Sequence, residues 1–292
     1  MPHVIPRIDI CSISESENEA FMIQKFSDYL KIHPNLMHAH RHSFFHLVFF
    51  TEGGGRHTID FNHFNLFPNQ IYFMVPGQVH AWNFEGNVDG FIVNFTKEFF
   101  QYFLNISDYI TSFPFFKGSP KDSVLNLSQE TGKLLIQKFT DILDQSVQHK
   151  VYKYDLIRVR LLEIFLLIAQ NNDQEKENSH THMPNTLVQS YQDLIEKNYM
   201  NLRKPSEYAR LLAVTPNHLN ALTKEHLGMQ AGEVIRDRII LEAKRLLINV
   251  DLSVSQIAYK LQFSDNSYFT KFFKKYVGIN PEEFRKNYSL HF

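Results

Sequence analysis

"IAYKLQFSDNSYFTKFFKKYVGINPEEFRK", from Ile257 to Lys286, has a near copy earlier in the chain, "YARLLAVTPNHLNALTKEHLGMQAGEVIR" from Tyr208 to Arg236. Counted from Ala209, apolar residues fall at Leu212, Val214, Leu219 and Leu222. Counted from Ala258, they fall at Leu261, Phe263, Phe269 and Phe272. The spacings agree apart from one extra residue between Phe263 and Phe269, and Gly228 and Gly278 close the copies at matching places. Helical periodicity with a short break reads as helix, tight turn, helix. The small Ala209 and Ala258 let the second helix cross the first closely. Helix-start chemistry agrees: Thr215 before Pro216, Ser253 three residues before Gln256, and Asn280 before Pro281 and two glutamates.

The second helix of each copy leaves one side polar. In the first that side carries Asn217, His218, Asn220, Ala221 and Lys224; in the second, Asn266, Ser267, Thr270, Lys271, Lys274 and Lys275. Side-chain amides pair with adenine edges, and lysine with guanine or phosphate. Thr215 and Ser264, beside the N–H groups of a helix start, are candidates for holding phosphates. A solvated face of a small bundle would account for one such copy. Two copies in a basic segment favour DNA: residues 185–292 carry 15 Lys and Arg against 11 Asp and Glu, whereas residues 1–184 carry 15 against 20. Between the copies "GEVIRDRIILEAKRLLI" reads as one helix of roughly 24 Å, fit to hold two recognition helices toward major grooves about 34 Å apart.

The second copy resembles the signature of the AraC/XylS family of bacterial transcription regulators, and the resemblance extends over Leu187 to Tyr288. It implies two helix-turn-helix units, about 204–227 and 253–276, joined by one helix. By matching positions it implies base-facing Asn217, Asn220 and Ala221 in the first unit and Asn266, Ser267 and Lys271 in the second. Gln262 stands where the family has glycine at the turn, so backbone strain is expected there. Ala221 offers no hydrogen bond, so base reading by the first unit would rest on few contacts.

The other end of the chain has a different texture. From about Leu36 to Phe95, short runs such as "FFHLVFF", "RHTIDF", "QIYFMVP" and "GFIVNF" alternate with Gly, Pro and Asn punctuation, which predicts a β-sandwich or barrel. Within it "HAHRHSFFH", His38 to His46, puts four histidines into nine residues. Alternation along a strand would point His38, His40, His42, Phe44 and His46 the same way. "HRHSFFH" with Gly53 resembles the first cupin motif, with His46 where that motif has glutamate. "PGQVHAWN" resembles a shortened second motif, with His80 as its histidine. The resemblance implies a small jelly-roll barrel with these residues inside. His40, His42, His46, His80 and Trp82 are then candidates for a small-molecule effector pocket, since imidazoles donate, accept and stack. The same four histidines are an alternative set of metal ligands, and surface histidines on an edge strand remain a third reading.

From Ser128 to Gln170 the pattern turns helical, with Leu135, Phe139, Ile142 and Leu143 on one face. That face is expected to dimerise or dock. "NNDQEKENSHTHMPN", 171–185, reads as a linker. The expected plan is an α+β chain of two domains: a cupin-like effector-binding and dimerisation domain over 1–170 and an AraC-type DNA-binding domain over 186–290.

Several classes are excluded at this stage. "LLEIFLLIA", Leu161–Ala169, is too short to span a bilayer. The N-terminus lacks the basic start and apolar stretch of a secretory signal, and Cys11, the single cysteine, suits a reducing cytoplasm. "TEGGG", Thr51–Gly55, precedes strand-like sequence and reads as a turn rather than a phosphate cradle. The amphipathic stretch Tyr268–Tyr276 belongs to the repeat rather than to a membrane surface. The expected function is a cytoplasmic, ligand-responsive, sequence-specific transcription regulator, not an enzyme and without a cofactor. Its expected partners are promoter DNA, a small effector, RNA polymerase and a second copy of itself. Activation is the commoner family mode. The competing class is a metal-dependent cupin enzyme with an accessory DNA-binding domain.

Overall fold

The computed structural model describes residues 5–13, 20–101, 103–104, 109–120, 122–178, 186–248 and 252–288. The chain forms two compact units, one over 6–173 and one comprising 1–5 with 174–292.

The first unit is built on β1 (Arg7–Ile8), β2 (Phe21–Lys25), β3 (His40–His42), β4 (Phe45–Ile59), β5 (Asn62–Asn65), β6 (Gln70–Met74), β7 (Val79–Phe95) and β8 (Val124–Asn126). Helices α1 (Phe26–Ile32), α2 (Lys97–Gln101), α3 (Tyr109–Ser112), α4 (Gln129–Ser146) and α5 (Lys153–Asn178) complete it. The strands run β1-β3-β7-β4-β6-β8, with β2 also on β7 and β5 also on β4. Among the described residues, only β1 and β3 pair in parallel.

The run "FFHLVFF" is apolar apart from His46 because both faces of β4 are covered. Phe45, Leu47 and Phe49 face a core completed by Leu135, Phe139 and Ile142 of α4 and by Ile157, Leu161 and Phe165 of α5. Phe44, Val48 and Phe50 face the other core, with Phe26, Tyr29, Tyr72, Trp82 and Ile92. The histidines belong to this second side.

Two expectations change here. The apolar face of α4 is not a free docking surface: Leu135, Phe139 and Ile142 are fully buried, and Phe139 stacks on Phe49 and Phe91 at centroid distances of 5.8 and 5.5 Å. A strand run with both faces apolar supplied the cover that the helix face required. The stretch read as a linker is in part helix, since α5 continues to Asn178. Extending an existing helix costs far less than nucleating one, and its Gln, Glu and Lys residues are good helix formers. The rest of that stretch, 179–185, lies outside the described residues.

The second unit contains α6 (Thr186–Asn198), α7 (Pro205–Leu211), α8 (Pro216–Leu227), α9 (Ala231–Leu247), α10 (Val254–Lys260), α11 (Asn266–Val277) and α12 (Pro281–Tyr288). The two copies in the sequence become the pairs α7–α8 and α10–α11, joined by α9. Ala209 and Ala258 are completely buried at the crossings. The extra residue of the second copy lies in its turn, which spans 261–265 where the first spans 212–215. Thr215 accepts from the His218 N–H, and Ser253 and Gln256 form a reciprocal capping box. Gly228 and Gly278 take left-handed C-cap conformations at φ 70° and 90°, which a side chain would oppose. Arg238 of α9 ties α6 in place, meeting Glu196 at 2.8 Å and lying 4.0 Å from the centre of the Tyr199 ring.

Candidate functional sites

The histidine site is assembled by pairing between strands. β3 carries His40 and His42, β4 begins just before His46, and β7 brings His80 opposite His40 and Asn94 opposite His46. His40, His42, His46 and His80 are all buried, and so is Trp82. His38 is exposed, because the chain before β3 has not yet entered the sheet; its backbone carbonyl serves instead, accepting from His40 Nδ1 at 2.7 Å.

The rings touch one another. His42 Nε2 is 3.1 Å from His40 Nε2 and 2.8 Å from His80 Nε2. His46 lies flat against His42, with centroids 4.5 Å apart and an interplanar angle of 15°. His46 Nδ1 meets Asn94 Oδ1 at 2.7 Å. The Trp82 ring stands edge-on to His80 at 4.8 Å. An organic ligand could lie among these side chains only if the rings parted. One cavity of this unit, about 20 Å³, lies elsewhere, between Phe45, Phe95, Phe100 and Ile110.

Two contributors were not legible beforehand. His57 is buried, with Nε2 3.2 Å from His80 Nδ1, and Asn94 holds His46. His57 sits in "RHTID", outside the histidine-rich stretch, and only the register of β4 on β7 brings it here. Burial pulls His40 to about 4 and His46 to about 3, and holds His42, His57 and His80 well below the ordinary histidine value; for most of them, neighbouring rings add to the shift. The cluster is therefore neutral at neutral pH. Each imidazole then has one N–H and one lone pair; His42 Nδ1, His46 Nε2 and His57 Nδ1 lack a partner, as does the Trp82 Nε1 N–H. Geometrically, His40, His42 and His80 can hold a metal ion, since one nitrogen from each lies within 4.8 Å of the others.

The nucleic-acid candidates occupy α8 and α11. Asn217, His218, Ala221, Lys224, Asn266, Ser267, Lys271 and Lys274 are exposed, and Asn220 and Thr270 are half-buried. Asn220 is already engaged: its Oδ1 accepts from the Ala231 N–H at 3.0 Å, at the start of α9. Tyr268 is also more than half exposed on α11.

At the start of α11, Ser264 is not the cap. Asp265 accepts from the Tyr268 N–H at 2.7 Å, and Ser264 Oγ donates to Asp265 Oδ2 at 3.1 Å. That hydrogen bond from the backbone holds the Asp265 carboxyl below its ordinary value. A carboxylate at this helix start competes with a phosphate, so Ser264 is not placed to hold one. Thr215 keeps its place as the cap of α8, with a hydroxyl proton still free to donate.

Two family models match, a helix-turn-helix domain over residues 208–287 and the AraC-like ligand binding domain over residues 33–153. The transcriptional activator AarP of Providencia stuartii is 35% identical over 106 residues, covering 36% of this chain and 78% of AarP. The chain belongs to the AraC family. It is a DNA-binding transcription regulator with a ligand-binding domain, not an enzyme.

Similarity to AraC-family members is not confined to the second unit. The virulence regulon activator VirF of Yersinia enterocolitica is 29% identical over 160 residues, which span 52% of this chain and 59% of VirF. The regulator YfiF of Bacillus subtilis is 24% identical over 253 residues, 85% of this chain and 79% of YfiF. Among solved structures, ToxT from Vibrio cholerae O395 covers 92% of this chain and 98% of its own, at 12% identity and a TM-score of 0.41.

Proposed function

We propose that this AraC-family chain is a ligand-responsive transcriptional activator that binds promoter DNA as a homodimer. Its reading residues would be Asn217, His218, Ala221 and Lys224 on α8 and Asn266, Ser267, Thr270, Lys271 and Lys274 on α11. The observation that carries this reading is the duplicated helix-turn-helix, with the polar face of both second helices open to solvent. Asn220 drops to a supporting role because its carbonyl caps α9. Base reading would therefore rest more on α11 than on α8.

Relatives named as activators support activation, with RNA polymerase as the partner that activation requires. Action on promoter DNA goes with a cytoplasmic location, and no helix among the described residues is long and apolar enough to cross a membrane. The first unit would take the effector at the cluster of His40, His42, His46, His80 and Trp82. It would dimerise through the solvent side of α5, where Leu156, Val159 and Leu166 are exposed at helical spacing.

The test is a genomic selection with the full chain, followed by binding to the recovered site at several salt concentrations. Asn266→Ala should cost about 1–3 kcal/mol on that site and little on random duplex. Lys274→Ala should weaken every duplex alike and lower the salt slope by about one. A selection that recovers no preferred sequence overturns the reading.

A further inference from the structure

We propose that His40, His42 and His80, with His46 beside them, bind a divalent first-row transition-metal ion, and that this ion is the ligand to which the regulator responds. The second half rests on the regulator reading above; the first half stands on geometry alone.

The argument is one of lone pairs. The His38 carbonyl can only accept, so His40 Nδ1 carries the proton and His40 Nε2 presents a lone pair. The Asn94 carbonyl oxygen does the same for His46, leaving His46 Nε2 a buried lone pair with no partner. His42 Nε2 faces two other Nε2 atoms at once, at 3.1 and 2.8 Å. A single N–H there could serve only one of them, and it would leave His42 Nδ1 as a buried, unpartnered lone pair. Too few protons are available for the nitrogens that converge, and a cation accepts the lone pairs that remain.

The distances fit. Tetrahedral Zn²⁺ holds imidazole nitrogens at about 2.0–2.1 Å, which sets neighbouring nitrogens about 3.3 Å apart. The two spacings at His42, 3.1 and 2.8 Å, require shifts of a few tenths of an ångström, and all three nitrogens lie within 4.8 Å of one another. Imidazole ligands are held through their second nitrogen, and two of the three have such a partner: His40 the His38 carbonyl and His80 the His57 ring, while His42 Nδ1 has none and the neighbouring His46 is held by Asn94. An all-imidazole set with no carboxylate favours Zn²⁺, Ni²⁺, Co²⁺ or Cu²⁺ over Mg²⁺, Ca²⁺ or Mn²⁺. The ion would join β3 and β7. β3 is the element it would fix, since this three-residue strand meets β7 at only two residue pairs and carries β1 on its other edge.

The experiment uses the full chain, stripped with a chelator and titrated with Zn²⁺, Co²⁺ and Mg²⁺. We expect about one Zn²⁺ or Co²⁺ per chain, a raised unfolding temperature, and Co²⁺ visible bands of tetrahedral nitrogen coordination; Mg²⁺ should do nothing. His80→Gln and His40→Gln should weaken Zn²⁺ binding at least a hundredfold, whereas His38→Gln should not. The Co²⁺ spectrum of the unaltered chain keeps the test decisive if a variant fails to fold. Absence of those bands, or a His38 variant that loses the ion while the His80 variant keeps it, overturns the site. DNA affinity is then compared between stripped and loaded protein on the selected sequence. A bound ion that leaves that affinity and transcription unchanged overturns the effector role while leaving the site. Failure to bind any preferred DNA in either state counts against the regulator reading instead.

Discussion

Ala213 and Gln262 occupy the same place in the two helix-turn-helix units, and both hold left-handed backbone, at φ 54° and 55°. A non-glycine residue pays about 1–2 kcal/mol for that conformation. Glycine escapes the penalty but loses about 0.5–1 kcal/mol through its greater freedom when unfolded. Ala213→Gly should therefore raise the stability of the second unit by up to about 1 kcal/mol, read from its urea midpoint in the full chain. Gln262→Gly should gain less, because Gln262 Nε2 donates to Asn201 Oδ1 at 2.7 Å and glycine cannot. A lower midpoint for Ala213→Gly would mean that the turn stores no such strain. The Gln262 strain was legible only through the family resemblance, which has glycine at that turn position. At Ala213 the sequence offered no warning, since alanine is unremarkable in any turn. His57 and Asn94 are the same lesson in the first unit: nothing local marks them, and only strand register sets them against His80 and His46.

At the scale of elements, α4 was legible as an amphipathic helix, but what covers its apolar face was not. Periodicity shows which side of a helix must be buried and says nothing of the partner. The cover is β4 and β7 of the same chain, with Phe139 completely buried between Phe49 and Phe91. Phe139→Glu should therefore destabilise the first unit by more than about 3 kcal/mol, combining a lost aromatic with a buried charge. The measurement is loss of its near-ultraviolet circular dichroism and of the first unit's unfolding transition. A folded unit that merely changes its association state would return this face to the dimer. The second unit should be less affected, since its core is made by its own residues, among them Ile257, Phe269, Phe273 and Phe284.

For the whole molecule, the solvent side of α5 is the place to look for a second copy. Leu156 and Val159 are each about half exposed there, so charging them costs the monomer little. The double variant Leu156→Glu with Val159→Glu should remain folded, sediment as a monomer, and bind a two-half-site promoter at least tenfold more weakly. A dimer that survives it places the interface elsewhere. The sequence by itself determined the two-part plan, the duplicated helix-turn-helix, its caps and its solvent-facing residues, because helical period and capping chemistry act over a few neighbouring positions. The alternation of histidines in one short stretch also made a shared strand face legible, with surface histidines as the other reading. Only the tertiary structure decided that the imidazoles meet nitrogen to nitrogen, that Asn220 is spent on capping α9, that Asp265 rather than Ser264 starts α11, and that the α4 face belongs to the core. Those outcomes depend on which strand lies beside which and in what register, and on which atom reaches a helix end first. Such pairings join residues far apart in the chain, and no local pattern encodes them.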